Sequence, residues 1–90
     1  MAVTVRIPTT MRPLSGGTST IEVAPGTLNG VIAELEQTHP GFAERLLEDG
    51  ALRRFVNVFV DDDDVRYLDG LETKVPDGQT VSIIPAVAGG

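Results

Sequence analysis

One amphipathic helix, with strand patterns on both sides of it, constrains this chain more than any other feature. Its apolar residues recur at i, i+3, i+4 and i+7 and are Leu28, Val31, Ile32 and Leu35. This spacing places them on one face of a helix. Thr27 is the predicted N-cap, and Pro40 ends the helix because a residue before proline avoids the helical region. Since a single helix covers only one face of a sheet, the chain is expected to form two layers.

Two strands are predicted before the helix. Apolar and polar residues alternate over residues 3–7 and again over residues 19–23, which is the pattern of half-buried strands. Pro8 ends the first strand, because proline cannot donate to a ladder. Residues 9–17 contain Pro13 and a glycine pair and are expected to form a loop. The two strands should therefore pair as an antiparallel hairpin with a long connection.

Three strand patterns follow the helix, after a short helical turn expected near residues 41–48. Residues 55–60, with the sequence FVNVFV, form the clearest strand, because β-branched and aromatic residues favour strands. Its valines are expected to face the core. Residues 61–64 are read as a turn and residues 65–68 as a short strand. The last strand covers residues 80–84, with Val81 and Ile83 inward, and Pro85 closes it.

This order of elements predicts an α+β fold. We expect a two-layer sandwich of a mixed sheet and one main helix, the β-grasp arrangement of ubiquitin. Ninety residues without an internal repeat or a wide linker fit one domain,. We place the β-grasp domain at residues 1–85 and a flexible C-terminal tail at residues 86–90.

Composition excludes several classes of function. Seven basic and thirteen acidic residues give a net charge of −6, which disfavours nucleic acid and anionic membranes as partners. The chain has no cysteine, so it offers neither disulfides nor a thiolate metal cage. It shows no signal-peptide pattern, no apolar run of membrane-spanning length, and no catalytic triad, phosphate loop or metal-ligand spacing. A cytoplasmic protein, monomeric when alone, is expected.

The C-terminal end of the sequence carries the most information about function. After Pro85 come the uncharged residues Ala86, Val87 and Ala88, and then Gly89 and Gly90. Five residues span at most about 17 Å when extended. Glycine lets a backbone enter a passage that a side chain would block. The Gly90 carboxylate is therefore the least hindered acyl group that the chain offers to a partner's active site.

Several segments together resemble a known family. They are the opening VTVRIPT (residues 3–9), RFVNVFV (54–60), DDVR (63–66) and the ending IPAVAGG (84–90). Along its whole length the chain resembles the ubiquitin-like sulfur carriers of the ThiS and MoaD type. Within that group it is most similar to the CysO-type carriers of cysteine biosynthesis.

The resemblance implies a chemistry in which the chain is a co-substrate and not an enzyme. A ubiquitin-activating-type adenylating enzyme would use ATP and magnesium to adenylate Gly90, and sulfide would then convert it to a thiocarboxylate. A pyridoxal-phosphate-dependent cysteine synthase would accept the sulfur, and a zinc-dependent protease would release cysteine. The carrier itself would bind no cofactor and no metal and would supply no catalytic side chain. Gly90 would be the covalent site, with Ala86, Val87, Ala88 and Gly89 threading into the partner.

The docking surface and the recipient stay open at the level of sequence. Phe55, Asn57 and Phe59 would form a docking patch if their face of the strand is exposed, as in ubiquitin-like proteins; otherwise both phenylalanines belong to the core. The same carrier chemistry could serve molybdopterin, thiamine, a thiosugar or tRNA thiolation. A function of another class is a non-covalent ubiquitin-like interaction module, in which the diglycine is incidental.

Overall fold

The computed structural model of this chain describes residues 2–85. The expectations for residues 86–90 lie outside the described residues. The strands in chain order are β1 (Val3–Arg6), β2 (Thr20–Val23), β3 (Gly26–Thr27), β4 (Leu47–Glu48), β5 (Ala51–Leu52), β6 (Val56–Val60), β7 (Asp63–Asp64), β8 (Lys74–Val75) and β9 (Thr80–Pro85). The α-helices are α1 (Leu28–Thr38) and α2 (Phe42–Leu46), and short 3₁₀ helices cover Thr9–Ser15, Val65–Tyr67 and Gly70–Glu72.

Five strands form the main sheet, in the order β2-β1-β9-β6-β7. β1 pairs antiparallel with β2 and parallel with β9, whereas β6 pairs antiparallel with β9 and with β7. The sheet is therefore mixed, as predicted. The parallel pair joins the first and last strands, so β9, which ends the described chain, is the central strand of the sheet.

One face of the sheet is covered by the helices. The inward side chains of β1, β6 and β9 alternate with outward ones and are buried, as the period-two patterns predicted. The α1 stripe of Leu28, Val31, Ile32 and Leu35 is at most 3% exposed. Phe42 and Leu46 of α2, both fully buried, complete the core. The predicted two-layer α+β β-grasp fold is confirmed.

The ends of α1 follow local chemistry. Thr27 has extended backbone and its hydroxyl oxygen accepts a hydrogen bond from the Gly30 N–H at 3.2 Å, which confirms the predicted N-cap. At the other end, His39 closes the helix through its N–H to the Leu35 carbonyl. Within residues 2–85, no helix is long and apolar enough to cross a membrane.

The prediction of a loop over residues 9–17 is wrong for Thr9–Ser15, which form a 3₁₀ helix, and holds for the turn at Gly16 and Gly17. Two contacts explain this helix. Met11 is buried in the core, and the hydroxyl of buried Ser15 lies within hydrogen-bonding distance of the carbonyl oxygens of Arg12 and Thr18, at 3.0 and 2.7 Å. Burial of one apolar side chain and local hydrogen bonds thus order a segment whose proline and glycines indicated a loop.

The reading of residues 61–68 is also corrected. Asp63 and Asp64 form the short strand β7, so the turn contains only Asp61 and Asp62, and the predicted strand 65–68 is a 3₁₀ helix at Val65–Tyr67. The Asp64 carboxylate accepts the Arg66 N–H at 2.9 Å and caps this helix. Val65 is fully buried at its start, so it fills the core from a helical turn.

Candidate functional site

The face of the sheet opposite the helices carries the side chains that the sequence analysis assigned to docking. Asn57 and Phe59 are half-buried on this face, between the buried valines of β6. Phe55 directly precedes β6 and is 58% exposed. The two phenylalanines are therefore not core residues covered on both sides. The structure places all three predicted residues beside one another; their role in docking stays a prediction.

Strand β9 adds a fourth residue to this surface. Ile84 is 49% exposed and pairs with Asn57 across the β6–β9 ladder, while Ser82 pairs with Phe59. We call Phe55, Asn57, Phe59 and Ile84 the sheet-face patch. The sequence analysis did not name Ile84, although the inward positions of Val81 and Ile83 already imply that it points outward.

Arg66 holds the edge of this patch in place. Its guanidinium Nη2 donates to the carbonyl oxygens of Arg53, Arg54 and Val56 at 2.8, 3.0 and 2.7 Å. Its Nη1 donates to the side-chain oxygen of Asn57. The chain on both sides of Phe55 is thus tied to one side chain, and Phe55 projects from an ordered turn. Sequence reasoning missed this role of Arg66, because the acceptors lie nine to thirteen residues away.

The described chain ends at the border of the patch. Pro85, the last described residue, pairs with Val56 across the β6–β9 ladder, and Val56 follows Phe55 directly. The described chain therefore ends opposite the residue that follows Phe55, the most exposed aromatic residue of the patch. The predicted site residues Ala86, Val87, Ala88, Gly89 and Gly90 lie outside the described residues, and their roles stay predictions.

The described residues carry no assembled metal site. No group of three or more His, Cys, Asp or Glu side chains in residues 2–85 could hold a metal ion. The four consecutive aspartates, 61–64, are spread over a turn and a strand, and two of their carboxylates accept backbone N–H groups. Asp61 accepts from Thr80 at 3.0 Å and Asp64 from Arg66.

The mixed five-stranded sheet with one main helix packed on it gives this chain the ubiquitin-like form of the β-grasp fold. The sequence model of the ThiS family matches residues 5–90, which is nearly the whole chain. The chain belongs to the ThiS family.

Several relatives are similar over their full length. The chain is 48% identical over 93 residues to a protein of Mycobacterium tuberculosis named sulfur carrier protein CysO, and covers 100% of each sequence. It is 42% identical over 91 residues to a putative sulfur carrier protein of Archaeoglobus fulgidus, again with 100% of both covered.

A solved structure agrees closely with this one. A chain in the crystal structure of the Amycolatopsis orientalis BexX/CysO complex is 47% identical and superposes with a TM-score of 0.95. The superposition covers 99% of this chain and 100% of that chain. That chain was thus solved in complex with another protein.

Proposed function

We propose that this chain is a sulfur carrier whose Gly90 carboxylate is adenylated and then converted to a thiocarboxylate that donates sulfur in cysteine biosynthesis. The observation that carries the proposal is the ThiS-family match, which runs through the diglycine to residue 90. Full-length similarity to proteins named sulfur carrier supports it. The chain would act as a co-substrate in the cytoplasm, and the reacting group would be its own C-terminus.

The chemistry explains why an activating enzyme is needed. A carboxylate is a poor electrophile, because its charge repels nucleophiles and oxide is a poor leaving group. Attack of the Gly90 carboxylate on ATP releases pyrophosphate and forms an acyl-adenylate, which removes both obstacles. Sulfide then displaces AMP and leaves the thiocarboxylate. ATP and magnesium belong to the adenylating enzyme, and the carrier contributes an unhindered acyl group.

The C-terminal segment keeps the thiocarboxylate attached to the domain, so the next enzyme can bind the domain and reach the sulfur. A thiocarboxylate on the end of a five-residue segment is presented to the next enzyme at high effective concentration. For cysteine, that enzyme is a pyridoxal-phosphate-dependent synthase. The thiocarboxylate sulfur would form the new carbon–sulfur bond, which leaves Gly90 joined to cysteine as a thioester. The cysteine amine would then attack this thioester and displace the thiol, which gives a carrier–cysteine amide. A zinc-dependent protease would hydrolyse the amide, release cysteine and regenerate the Gly90 carboxylate. The sheet-face patch, which borders Pro85, is the surface we assign to docking on the adenylating enzyme.

Intact-mass spectrometry tests the proposal. The chain is incubated with its cognate adenylating enzyme, ATP, magnesium and a sulfide source, and a parallel reaction omits ATP. We expect the mass gain of an oxygen-to-sulfur exchange only in the complete reaction, and fragmentation should locate it at Gly90. No mass gain with the cognate enzyme would reject the carrier function and leave the non-covalent interaction module as the better reading.

A further inference from the structure

A groove lined by both polar and apolar residues lies at the point where the described chain ends. It has a volume of about 460 Å³ and runs between the end of β1, the 3₁₀ segment that follows it, and the end of β9. Its lining includes Arg6 and Arg12, and also Ser82, Ile84 and Pro85 of β9. Since Ile84 belongs to the sheet-face patch and Pro85 precedes the C-terminal segment, the groove connects two parts of the molecule that the proposed function uses.

Both arginines of the groove have unused donors. Arg6 is exposed and lies opposite Ser82 in the parallel β1–β9 pair. The Arg6 side chain makes no hydrogen bond or ion pair with residues 2–85. The ion pair within these residues joins Arg53 to Glu48 at 3.7 Å. Arg12 donates from Nε to the Ile7 carbonyl at 3.3 Å. The two terminal nitrogens of Arg12 have no hydrogen-bond partner in the described part of the chain.

The charge of the groove is opposite to that of the whole molecule. The chain has a net charge of −6 with only seven basic residues. Two of these seven line the groove, and no aspartate or glutamate does. The planar guanidinium matches a carboxylate in a two-point hydrogen-bonded pair. Two arginines whose terminal nitrogens have no partner within residues 2–85 therefore make this groove a binding place for an anionic ligand on an otherwise acidic protein.

We propose that this groove binds acidic side chains of the adenylating enzyme and so aligns the C-terminal segment as it enters that enzyme. The inference rests on the proposed function. An enzyme that takes up residues 86–90 must cover Pro85, which is a wall of the groove, and it covers the adjoining Ile84 if it docks on the sheet-face patch. Acidic residues at that edge of the enzyme would pair with Arg6 and Arg12. The same acidic residues of the enzyme would repel the other, more acidic surfaces of the carrier and so disfavour docking in another orientation.

Charge reversal tests the groove. Arg6→Glu alters an exposed side chain without a hydrogen bond, so we expect an unchanged unfolding midpoint. The matched control is Arg45→Glu, an exposed arginine on α2 in the helical layer. We expect Arg6→Glu to weaken binding to the adenylating enzyme on the order of tenfold at low salt and Arg45→Glu by less than about twofold. The difference should shrink in high salt. Equal effects of the two variants, or tighter binding of Arg6→Glu, would overturn the proposal.

Cross-linking identifies what the groove binds. Arg6→Lys places an amine in the groove, and a carbodiimide joins an amine only to a carboxylate that it touches. We expect a link to an aspartate or glutamate of the enzyme, and none from the matched variant Arg45→Lys. A link to the carrier's own Gly90 carboxylate would instead show that the groove holds the C-terminal segment, and the absence of any link would count equally against the proposal.

The outcomes also separate this inference from the proposed function. If the unaltered chain acquires sulfur, and the Arg6→Glu variant binds the enzyme as tightly as the unaltered chain, only the groove proposal fails. If the unaltered chain acquires no sulfur, the carrier function fails first.

Discussion

At the residue scale, Phe59 is the most direct test of the sheet-face patch. Its ring is half-buried on the outer side of β6, opposite Ser82. Replacing it with aspartate removes apolar contact area and adds a charge that docking would have to desolvate. We expect Phe59→Asp to weaken binding to the adenylating enzyme by about tenfold or more, as for an aromatic residue at the centre of an interface. Calorimetric titration measures this effect.

The control for Phe59 is Tyr67→Asp, the same kind of change at an aromatic residue that is 87% exposed and lies outside the patch. We expect this variant to bind almost as the unaltered chain does. Because Phe59 is half-buried, thermal unfolding must show that Phe59→Asp is still folded at the temperature of the titration. Unchanged affinity of a folded Phe59→Asp would place the docking surface elsewhere.

The patch also shows how far single residues could be predicted. Alternation along FVNVFV is enough to separate inward valines from outward Phe55, Asn57 and Phe59, since the side-chain period of a strand is two. The same rule yields Ile84. Strand alternation does not predict the role of Arg66, because no local pattern indicates that three backbone carbonyls and an amide oxygen accept hydrogen bonds from one guanidinium. Arg6 and Arg12 were likewise invisible as a pair until the β1–β9 pairing brought the groove together.

At the scale of elements, the long periodic segments and the short helix expected near residues 41–48 were predictable, whereas the 3₁₀ helices were not. α1 and its N-cap at Thr27 follow from helical spacing and capping chemistry. The 3₁₀ helix Thr9–Ser15 does not, because Pro13 and the following glycines are typical of a loop, and what orders the segment is the burial of Met11. The 3₁₀ helix Val65–Tyr67 has the same origin, since buried Val65 and the Asp64 cap decide a few residues whose intrinsic preference is weak.

Arg66 links two of these elements, and its replacement tests that link. It joins the 3₁₀ helix Val65–Tyr67 to the start of β6 through four hydrogen bonds. Lysine keeps the charge but offers a single ammonium that cannot span the same acceptors. We expect Arg66→Lys to lower the free energy of unfolding by about 1–2 kcal/mol. Hydrogen exchange at the Val56 amide, which donates to the Arg53 carbonyl, should become faster.

Arg54→Lys is the matched control for Arg66, since it makes the same change in the segment that Arg66 holds. The Arg54 side chain is exposed and forms no hydrogen bond within residues 2–85, so its replacement should leave unfolding by denaturant unchanged within about 0.5 kcal/mol. Equal stability of Arg66→Lys and the unaltered chain would mean that the four hydrogen bonds merely replace hydrogen bonds to water.

At the scale of the whole molecule, the fold and the proposed chemistry occupy separate parts of the chain. The buried apolar residues of the described chain lie between Val3 and Ile83. The central pairing of β1 with β9 brings Pro85, the last described residue, to the arginine groove and to the border of the sheet-face patch. In the proposed function, the domain therefore serves as the docking surface for partners, and the position of the Gly90 carboxylate is set by the number of residues after Pro85.

Deleting Gly90 separates these two roles. The new terminus is still a glycine carboxylate, but it falls short by one residue, or about 3.5 Å. Because a displacement of 1 Å at a reacting group already costs about a hundredfold in rate, we expect thiocarboxylate formation to fall by about that factor or more. The control is Ala88→Gly, which keeps five residues after Pro85 and a side chain at position 88 that is no larger. We expect this variant to form the thiocarboxylate at the original rate. The midpoint and cooperativity of unfolding should be unchanged in both, since neither touches the core. Sulfur transfer at the original rate after the deletion would contradict the role of chain length, and loss of cooperative unfolding would show that the C-terminal segment is part of the fold.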